Sequence, residues 1–296
     1  EDNKEYKINA KVVVLAASAC ESARILLNSK SKYHENGIGN SSNMVGKYLH
    51  DSTGTNNMAF IPDLMNRKTY NEDGMGNMHL YTPWWLDNKN LDFPRGYHIE
   101  VWGGLGAPAY GFGFNYNSLN KYFGIEIGGY GDRVREEVKK YYGSTIGFST
   151  RGEAVPNKNN YCEIDPEKKD KYGIPVLRFN YKWSDYERKQ AKHMNETVKK
   201  IVHNIGGHML WENKGPEHGL LTPGEVIHEV GTTRMGNDPN TSVVNKYEQL
   251  HDSKNVFIVD GGPFVSQADK NPTWTIMALS WRTSEYIVDQ LKKQNI

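Results

Sequence analysis

Two cysteines in 296 residues, Cys20 and Cys162, leave the chain without a disulfide framework. Each sits among apolar neighbours, and both read as core thiols. Long hydrophobic runs are missing too: the longest, around Val12 to Ala17, is far too short to cross a bilayer. Nor is there an excess of one charge. Lysine and arginine number 36 against 35 acidic residues, a formal net charge of +1, with no long like-charge block. Nucleic acid and anionic membrane are therefore poor partners. No internal repeat and no low-complexity linker occurs. His228-Glu229 does not open a zinc-protease motif, because the position four after the histidine is Thr232. The sequence thus points to no metal.

What is present can build a core. Hydrophobic residues make up 37% and aromatic residues 11%, enough for one large domain or two ordinary ones. The clearest pattern lies in the last quarter. Val256 to Val259 is apolar on both faces, as a parallel strand covered by helices should be. It ends in Asp260-Gly261-Gly262, and a helix follows. Asn271 suits its N-cap and Pro272 its first position, where a missing N–H costs nothing. Trp274, Met277, Ala278, Trp281, Val288 and Leu291 then recur at helical spacing as one apolar stripe. Strand, glycine turn and capped helix are how open α/β sheets present a ligand. Asp260 can accept from a ligand hydroxyl there, or simply form the turn before Gly261.

Earlier segments are less explicit. Residues 6–29 read as a strand pair and a helix, with Ile8 and Val12 to Leu15 supplying the buried strand and Ile25, Leu26 and Leu27 turned inward. Residues 36–53 have the Gly, Asn and Ser content of a loop. His50 within them is a candidate functional residue or a solvated one. From 58 to 150 Trp, Tyr and Gly crowd together. Alternation over Tyr97–Val101 and Gly124–Ile127 predicts antiparallel strands. Such a sheet suits a sugar, whose C–H faces pack on aromatic rings, with Trp84 and Trp85 as contacts, but an ordinary core sheet fits equally. Further strands are expected over 144–181, turning at Pro156-Asn157 and Asp165-Pro166. A surface helix is expected over 185–205, with Met194, Val198, Ile201, Val202 and Ile205 on one face and Gly206-Gly207 at its end.

Taken together, HEVGTTRMG (228–236), NVFIVDGG (255–262) and NPTWTIMALSWR (271–282) resemble the C-terminal signature of the glucose-methanol-choline (GMC) flavoprotein oxidoreductases, in the sugar- and gluconate-dehydrogenase-like branch. Residues 11–29 resemble that family's second signature, with Ala23 where the family has proline. Residues 152–178 resemble its substrate-domain sheet, and 51–150 match poorly. The resemblance implies an α/β fold, α+β overall. A partial FAD-binding, Rossmann-like domain would comprise residues 1–57 and 222–296. A substrate domain over 58–221 would carry a large antiparallel β-sheet with helices on one face.

The resemblance also assigns roles. His228 and Asn271 match the family's base and its hydrogen-bonding partner. A neutral histidine takes the hydroxyl proton of an alcohol, and the asparagine holds the same oxygen. Asn271 is also the expected helix cap, and the two roles compete for one side chain. Asp260, Gly261, Pro272 and Thr273 would lie against FAD, Asp260 meeting a ribityl hydroxyl and the helix turning its positive end to the cofactor. Arg234 and Met235 read as packing or salt-bridge residues. The implied reaction is FAD-dependent oxidation of an alcohol, of a sugar or polyol, by a dehydrogenase rather than an oxidase, with an electron-acceptor protein as a candidate partner. The family's G-x-G-x-x-G, which cradles the ADP half of FAD, does not occur; Gly103-Gly104-Leu105-Gly106 and Gly111-Phe112-Gly113 lack the spacing. The expectation is a C-terminal half, or one chain of a split enzyme, whose N-terminal FAD-binding segment is missing. The alternative is a flavin-free carbohydrate-binding module with an idle His-Asn pair.

Overall fold

The computed structural model describes residues 4, 6–66, 80–83, 90–103, 119–124, 130–141, 143–211 and 217–296. They fall into two compact units, Glu1–Ser52 with Glu153–Trp183 and Pro223–Ile296, and Thr53–Gly152 with Ser184–Thr222. The fold is mixed α/β, as expected. Residues 153–183, read from the sequence as part of the middle domain, belong to the first unit.

In the first unit β1 (Val13–Leu15) pairs in parallel with β9 (Val256–Ile258). An isolated antiparallel bridge joins Phe257 to Gln249. Val256, Phe257 and Ile258 are all buried, which is what an apolar run on both faces requires. Among the described residues no additional strand forms before β1, Tyr6 and Ile8 there are exposed, and β1 itself, expected to be buried, exposes Val13 and Val14 because no described strand lies on its other side. Helix α1 (Ala19–Asn28) is capped by the Ser18 hydroxyl, which accepts from the Glu21 N–H. It buries Ala19, Ser22, Ala23 and Leu26, one face at helical spacing, so that Ile25, expected inward, points outward. The hairpin of β6 (Tyr161–Lys169) and β7 (Pro175–Asn180) runs straight through Asp165-Pro166, expected as a turn. Asp165 accepts from the N–H groups of Glu167 and Lys168, both at 2.9 Å, inside the strand, where regular pairing lapses between Ile164 and Lys169. The reversal itself lies at 170–174, where Asp170 accepts from Tyr172 and Ile174 at 2.9 and 3.0 Å. The unit's core gathers Leu26, Val45, Leu49, Val244, Leu250 and Ile258 around Cys162, with Cys20 packed against it. Both thiols are free, and burial pushes Cys162 up to about 12.

Helix α5 (Thr273–Lys292) starts one residue later than expected. Pro272 occupies the cap position in helical conformation, and no side chain caps the helix. Its apolar stripe is exposed, Trp274 at 87% and Trp281 at 72%. The opposite, polar face holds the helix in place. Thr283, its buried residue, donates to Glu248 Oε2 at 2.7 Å, Ser280 donates to the Val259 carbonyl at 3.0 Å, and Tyr286 stacks on Tyr247 at 4.0 Å.

Glu248 is fully buried, and desolvation raises its carboxyl from 4.5 to about 7 against the pull of Thr283 and Arg282. A carboxyl raised on folding stabilises the fold fully below its unfolded pKa and loses that contribution as pH rises through the folded one. Glu248→Gln, which keeps an acceptor for Thr283 and carries no charge, is therefore expected to melt closer to its pH 5 temperature at pH 8 than the parent chain does. An unchanged difference between the two pH values would contradict this.

The second unit is built on an antiparallel sheet, ordered β3 (Leu80–Pro83), β4 (Tyr97–Gly103), β5 (Thr145–Gly152), β2 (Thr53–Phe60), β8 (His208–Trp211). Helix α4 (Asp185–Asn204) opens with a reciprocal capping box between Ser184 and Glu187. It lays Met194, Val198 and Val202 on Ala59, Ile99 and Phe148. Ile205, expected on that face, is the exposed C-cap residue. Two helical segments that the sequence reading did not anticipate, α2 (119–123) and α3 (Asp132–Tyr141), precede β5. Trp84, Trp85 and the predicted strand over 125–127 lie outside the described residues.

Candidate active site

The loop carrying His228 is held by backbone hydrogen bonds on both of its sides. Toward residues 46–50, Gly46 donates to Thr232 O at 2.7 Å, and His50 and Val230 exchange bonds at 3.1 and 2.8 Å. Toward the turn after β9, Gly231 donates to Gly261 O, Thr233 to Gly262 O and Met235 to Pro263 O, at 3.1, 2.9 and 2.8 Å. Two glycines make this three-layer approach feasible. Gly231 has φ +93°, and a Cβ there would lie 2.5 Å from Tyr48 O. A Cβ on Gly262 would meet Thr233 Oγ1 at 2.3 Å.

His228 itself is half-buried. Its backbone N–H donates to Asp51 Oδ1 at 3.0 Å, the same oxygen that accepts from Ser52 N–H at 2.8 Å, while Asp51 Oδ2 accepts from Gly224 N–H at 3.1 Å. Ile227, immediately before, has φ +60°, a strained conformation for a β-branched residue. The Asp51 carboxylate thus secures the chain on both sides of a strained bend. Asp51 is buried; desolvation, reinforced by the Glu229 charge, lifts its pKa from 3.8 to about 6 despite these donors. On the imidazole, Nδ1 lies 3.3 Å from Ser52 Oγ, and Ser52 Oγ accepts from Gln267 Nε2 at 2.9 Å.

Asn271 lies four residues after Gln267, just before the start of α5. Its side chain is exposed and makes no hydrogen bond among the described residues, so the capping role expected of it is not taken up. No hydrogen bond joins it to His228; the Gln267–Ser52–His228 chain ties the two segments together. Asn271→Ala is accordingly expected to leave the melting temperature nearly unchanged, within about 0.5 kcal/mol, the usual range for surface substitutions. A loss of about 1 kcal/mol would restore the cap. If the amide instead holds a substrate oxygen, the same variant loses roughly a hundredfold in turnover.

Asp260 is buried, with Oδ2 accepting from the Ser22 hydroxyl at 2.5 Å and Oδ1 from Gly262 N–H at 2.8 Å. Burial raises its pKa against the pull of Ser22 and of the Gly262 and Ala17 N–H groups. Its carboxylate is occupied inside the protein, as a turn former and an anchor for α1. Gly261 spends its carbonyl on Gly231. Pro272 is half-buried and Thr273 exposed at the start of α5. His50 is buried rather than solvated, with Nδ1 2.7 Å from the Tyr48 carbonyl. Arg234 stacks 4.1 Å over the Tyr48 ring, the packing role expected of it. A cavity of about 430 Å³, lined among others by Ser18, Glu21, Asp51, Tyr181 and Glu229, adjoins the Asp51 clamp; His228 does not line it. Asp51, Ser52 and Gln267 escaped the sequence reading. Their one signal was that Asp51 and Ser52 follow His50 inside a Gly- and Asn-rich loop.

Comparison with known proteins bears on this arrangement. Residues 156–280 match the protein family described as GMC oxidoreductase. A 2-methyl-1,2-propanediol dehydrogenase of Mycolicibacterium austroafricanum is 30% identical over 283 residues, covering 95% of this chain and 48% of that protein. The fructose dehydrogenase large subunit of Gluconobacter japonicus is 27% identical, covering 99% of this chain and 50% of its own length. The chain thus spans about half the length of these relatives. Among solved structures, pyridoxine 4-oxidase from Mesorbium loti superposes with a TM-score of 0.58 at 16% identity, over 93% of this chain and 51% of that one, a likeness of fold. A flavin-free carbohydrate-binding module finds no support among these proteins.

Proposed function

Because the chain belongs to the GMC oxidoreductase family, we propose that it forms the catalytic portion of an FAD-dependent enzyme that oxidises a CH–OH group of a sugar or sugar-like polyol. The observation that carries this reading is the His228 loop: a half-buried imidazole on a strained bend that Asp51 anchors at two N–H groups, tied through Ser52 and Gln267 to the segment that presents the exposed Asn271 amide. His228 takes the hydroxyl proton of the alcohol. Asn271 donates to the same oxygen and orients it. The start of α5 fits the cofactor, for its first-turn N–H groups receive no side-chain cap and its first turn contains no acidic residue. Such a terminus suits an electron-rich ring edge. When bound, FAD supplies the hydride acceptor.

A dehydrogenase, like the propanediol and fructose dehydrogenases above, is our reading over an oxidase, and it would pass its electrons to a separate acceptor. The absence of G-x-G-x-x-G from the 296 residues supports an ADP-binding segment that lies outside this chain. The visible spectrum of the purified chain, before and after addition of FAD, together with turnover of sugars and diols using an artificial acceptor, tests both. Flavin absorbance with substrate-dependent bleaching supports the reading; a chain that forms holoenzyme and bleaches with no alcohol overturns it.

A further inference from the structure

We infer that Ser52 and Gln267 select the tautomer of His228, and so decide whether its imidazole can act as a base. The inference rests on the reading of His228 given above. Ser52 is 1% and Gln267 6% exposed, so water does not compete freely for either side chain. Ser52 Oγ stands between His228 Nδ1 at 3.3 Å and Gln267 Nε2 at 2.9 Å. The other end of that amide, Gln267 Oε1, is buried with no hydrogen-bond partner among the described residues.

A neutral imidazole carries one N–H and one lone pair, and the hydrogen bond made by one nitrogen fixes the role of the other. If Nδ1 faces Ser52, the nitrogen that takes a substrate proton is Nε2. For Nε2 to hold a lone pair, Nδ1 must carry hydrogen and Ser52 Oγ must accept it. Ser52 has a single proton to place. When Gln267 offers an N–H, the serine proton is left for Nδ1, which then accepts, and Nε2 carries the hydrogen. When Gln267 offers Oε1, the serine proton goes to that oxygen, Oγ accepts from Nδ1–H, and Nε2 is a base. The two arrangements hold the same number of protons and differ by a half-turn of the Gln267 amide, whose two ends have nearly the same shape.

The second arrangement survives the chemistry: once Nε2 has taken a proton both ring nitrogens are donors, and Ser52 goes on accepting from Nδ1 without reorganising. In the first arrangement proton uptake would force the serine hydroxyl and the amide to turn. Neither residue touches substrate; both act as positioning residues through His228.

Nitrogen-15 NMR of histidine-labelled chain reads the tautomer directly. The expected result is Nδ1–H with an unprotonated Nε2 for His228 above its pKa, and a shift toward Nε2–H in Ser52→Ala. Ser52→Thr, which keeps the hydroxyl, should return the parent pattern, and Gln267→Met should resemble Ser52→Ala. In the holoenzyme Ser52→Ala should lower kcat by at least about tenfold with KM little changed, as expected when the group behind a catalytic histidine no longer fixes its tautomer. The acid limb of the kcat/KM profile should move with it. A parent His228 already in the Nε2–H form, or a tautomer unaltered by Ser52→Ala, overturns the inference even if Ser52→Ala fails to turn over. If the tautomer responds as described but His228→Ala oxidises alcohols normally, the functional reading fails and the tautomer assignment stands.

Discussion

His228→Ala is expected to lower turnover of an alcohol substrate roughly 10²- to 10⁴-fold, the span contributed by a positioned general base. Binding should suffer far less. The Asp51 bond to this residue comes from the backbone N–H, which alanine retains, so the loop keeps its anchor and the strained Ile227 keeps its neighbour. The imidazole is half-buried and enters none of the core clusters, so truncation leaves only a small deficit in packing. The variant should therefore melt near the parent temperature and show the same flavin spectrum when loaded, while kcat and kcat/KM fall together. Equal loss in both constants marks an interaction made in the transition state. Turnover within threefold of the parent would remove His228 from the chemistry, and a rise in KM alone would make it a substrate contact.

How much of this arrangement the sequence disclosed depends on the range of the interaction involved. Strand β9 was legible because Val256 to Ile258 are apolar on both faces, and α4 because Met194, Val198 and Val202 share a face at helical spacing. Helix α3 was not. Asp132–Tyr141 has no broad apolar stripe and carries exposed pairs, Asp132 with Arg135, Arg133 with Glu137 and Glu136 with Lys139, at 2.9 to 3.4 Å. Those pairs become visible only once a helix is assumed. Asp165-Pro166 carried the residues of a turn, yet pairing of β6 with β7 on either side keeps the chain extended through it. The stripe of α5 was read correctly as a pattern but not as a place, for Trp274, Met277 and Trp281 are exposed and the helix docks through Thr283 and Ser280.

The site divides along the same line. His228 and Asn271 are candidates that resemblance alone supplies, since each sits inside a recognisable run of residues. Asp51 meets the His228 N–H across 177 positions, and Gln267 meets Ser52 across 215. No local pattern announces a partner that distant. Asp260 illustrates the converse: its place at a strand's end was legible, but its engagement by Ser22, 238 positions away, was not.

Asp51→Ala should be the most damaging substitution outside the histidine itself, because it acts on stability and on turnover through the same three donors. Removing the carboxylate strips the acceptor from the N–H groups of Ser52, which is buried, His228, which is half-buried, and Gly224, which is exposed. Each buried donor left without an acceptor costs about 1–3 kcal/mol, and with some relaxation toward water the sum should be about 3 kcal/mol. The freed bend lets Ile227 leave its positive φ, and the His228 imidazole moves away from Ser52. Turnover should consequently fall by at least about a hundredfold, since small misplacements of a reacting group suffice for that. Asp51→Asn separates geometry from charge: its one carbonyl can replace Oδ1 for His228, while its NH₂ faces the Gly224 N–H and cannot. It should fall between alanine and the parent in both respects. The pH dependence supplies a further check. With its pKa raised to about 6, Asp51 contributes stability that is complete below 3.8 and lost as pH rises through 6. Melting of Asp51→Asn should lack that part of the slope between pH 4 and pH 7. An alanine variant that melts and turns over like the parent would show that the His228 loop is held by its backbone ladder alone.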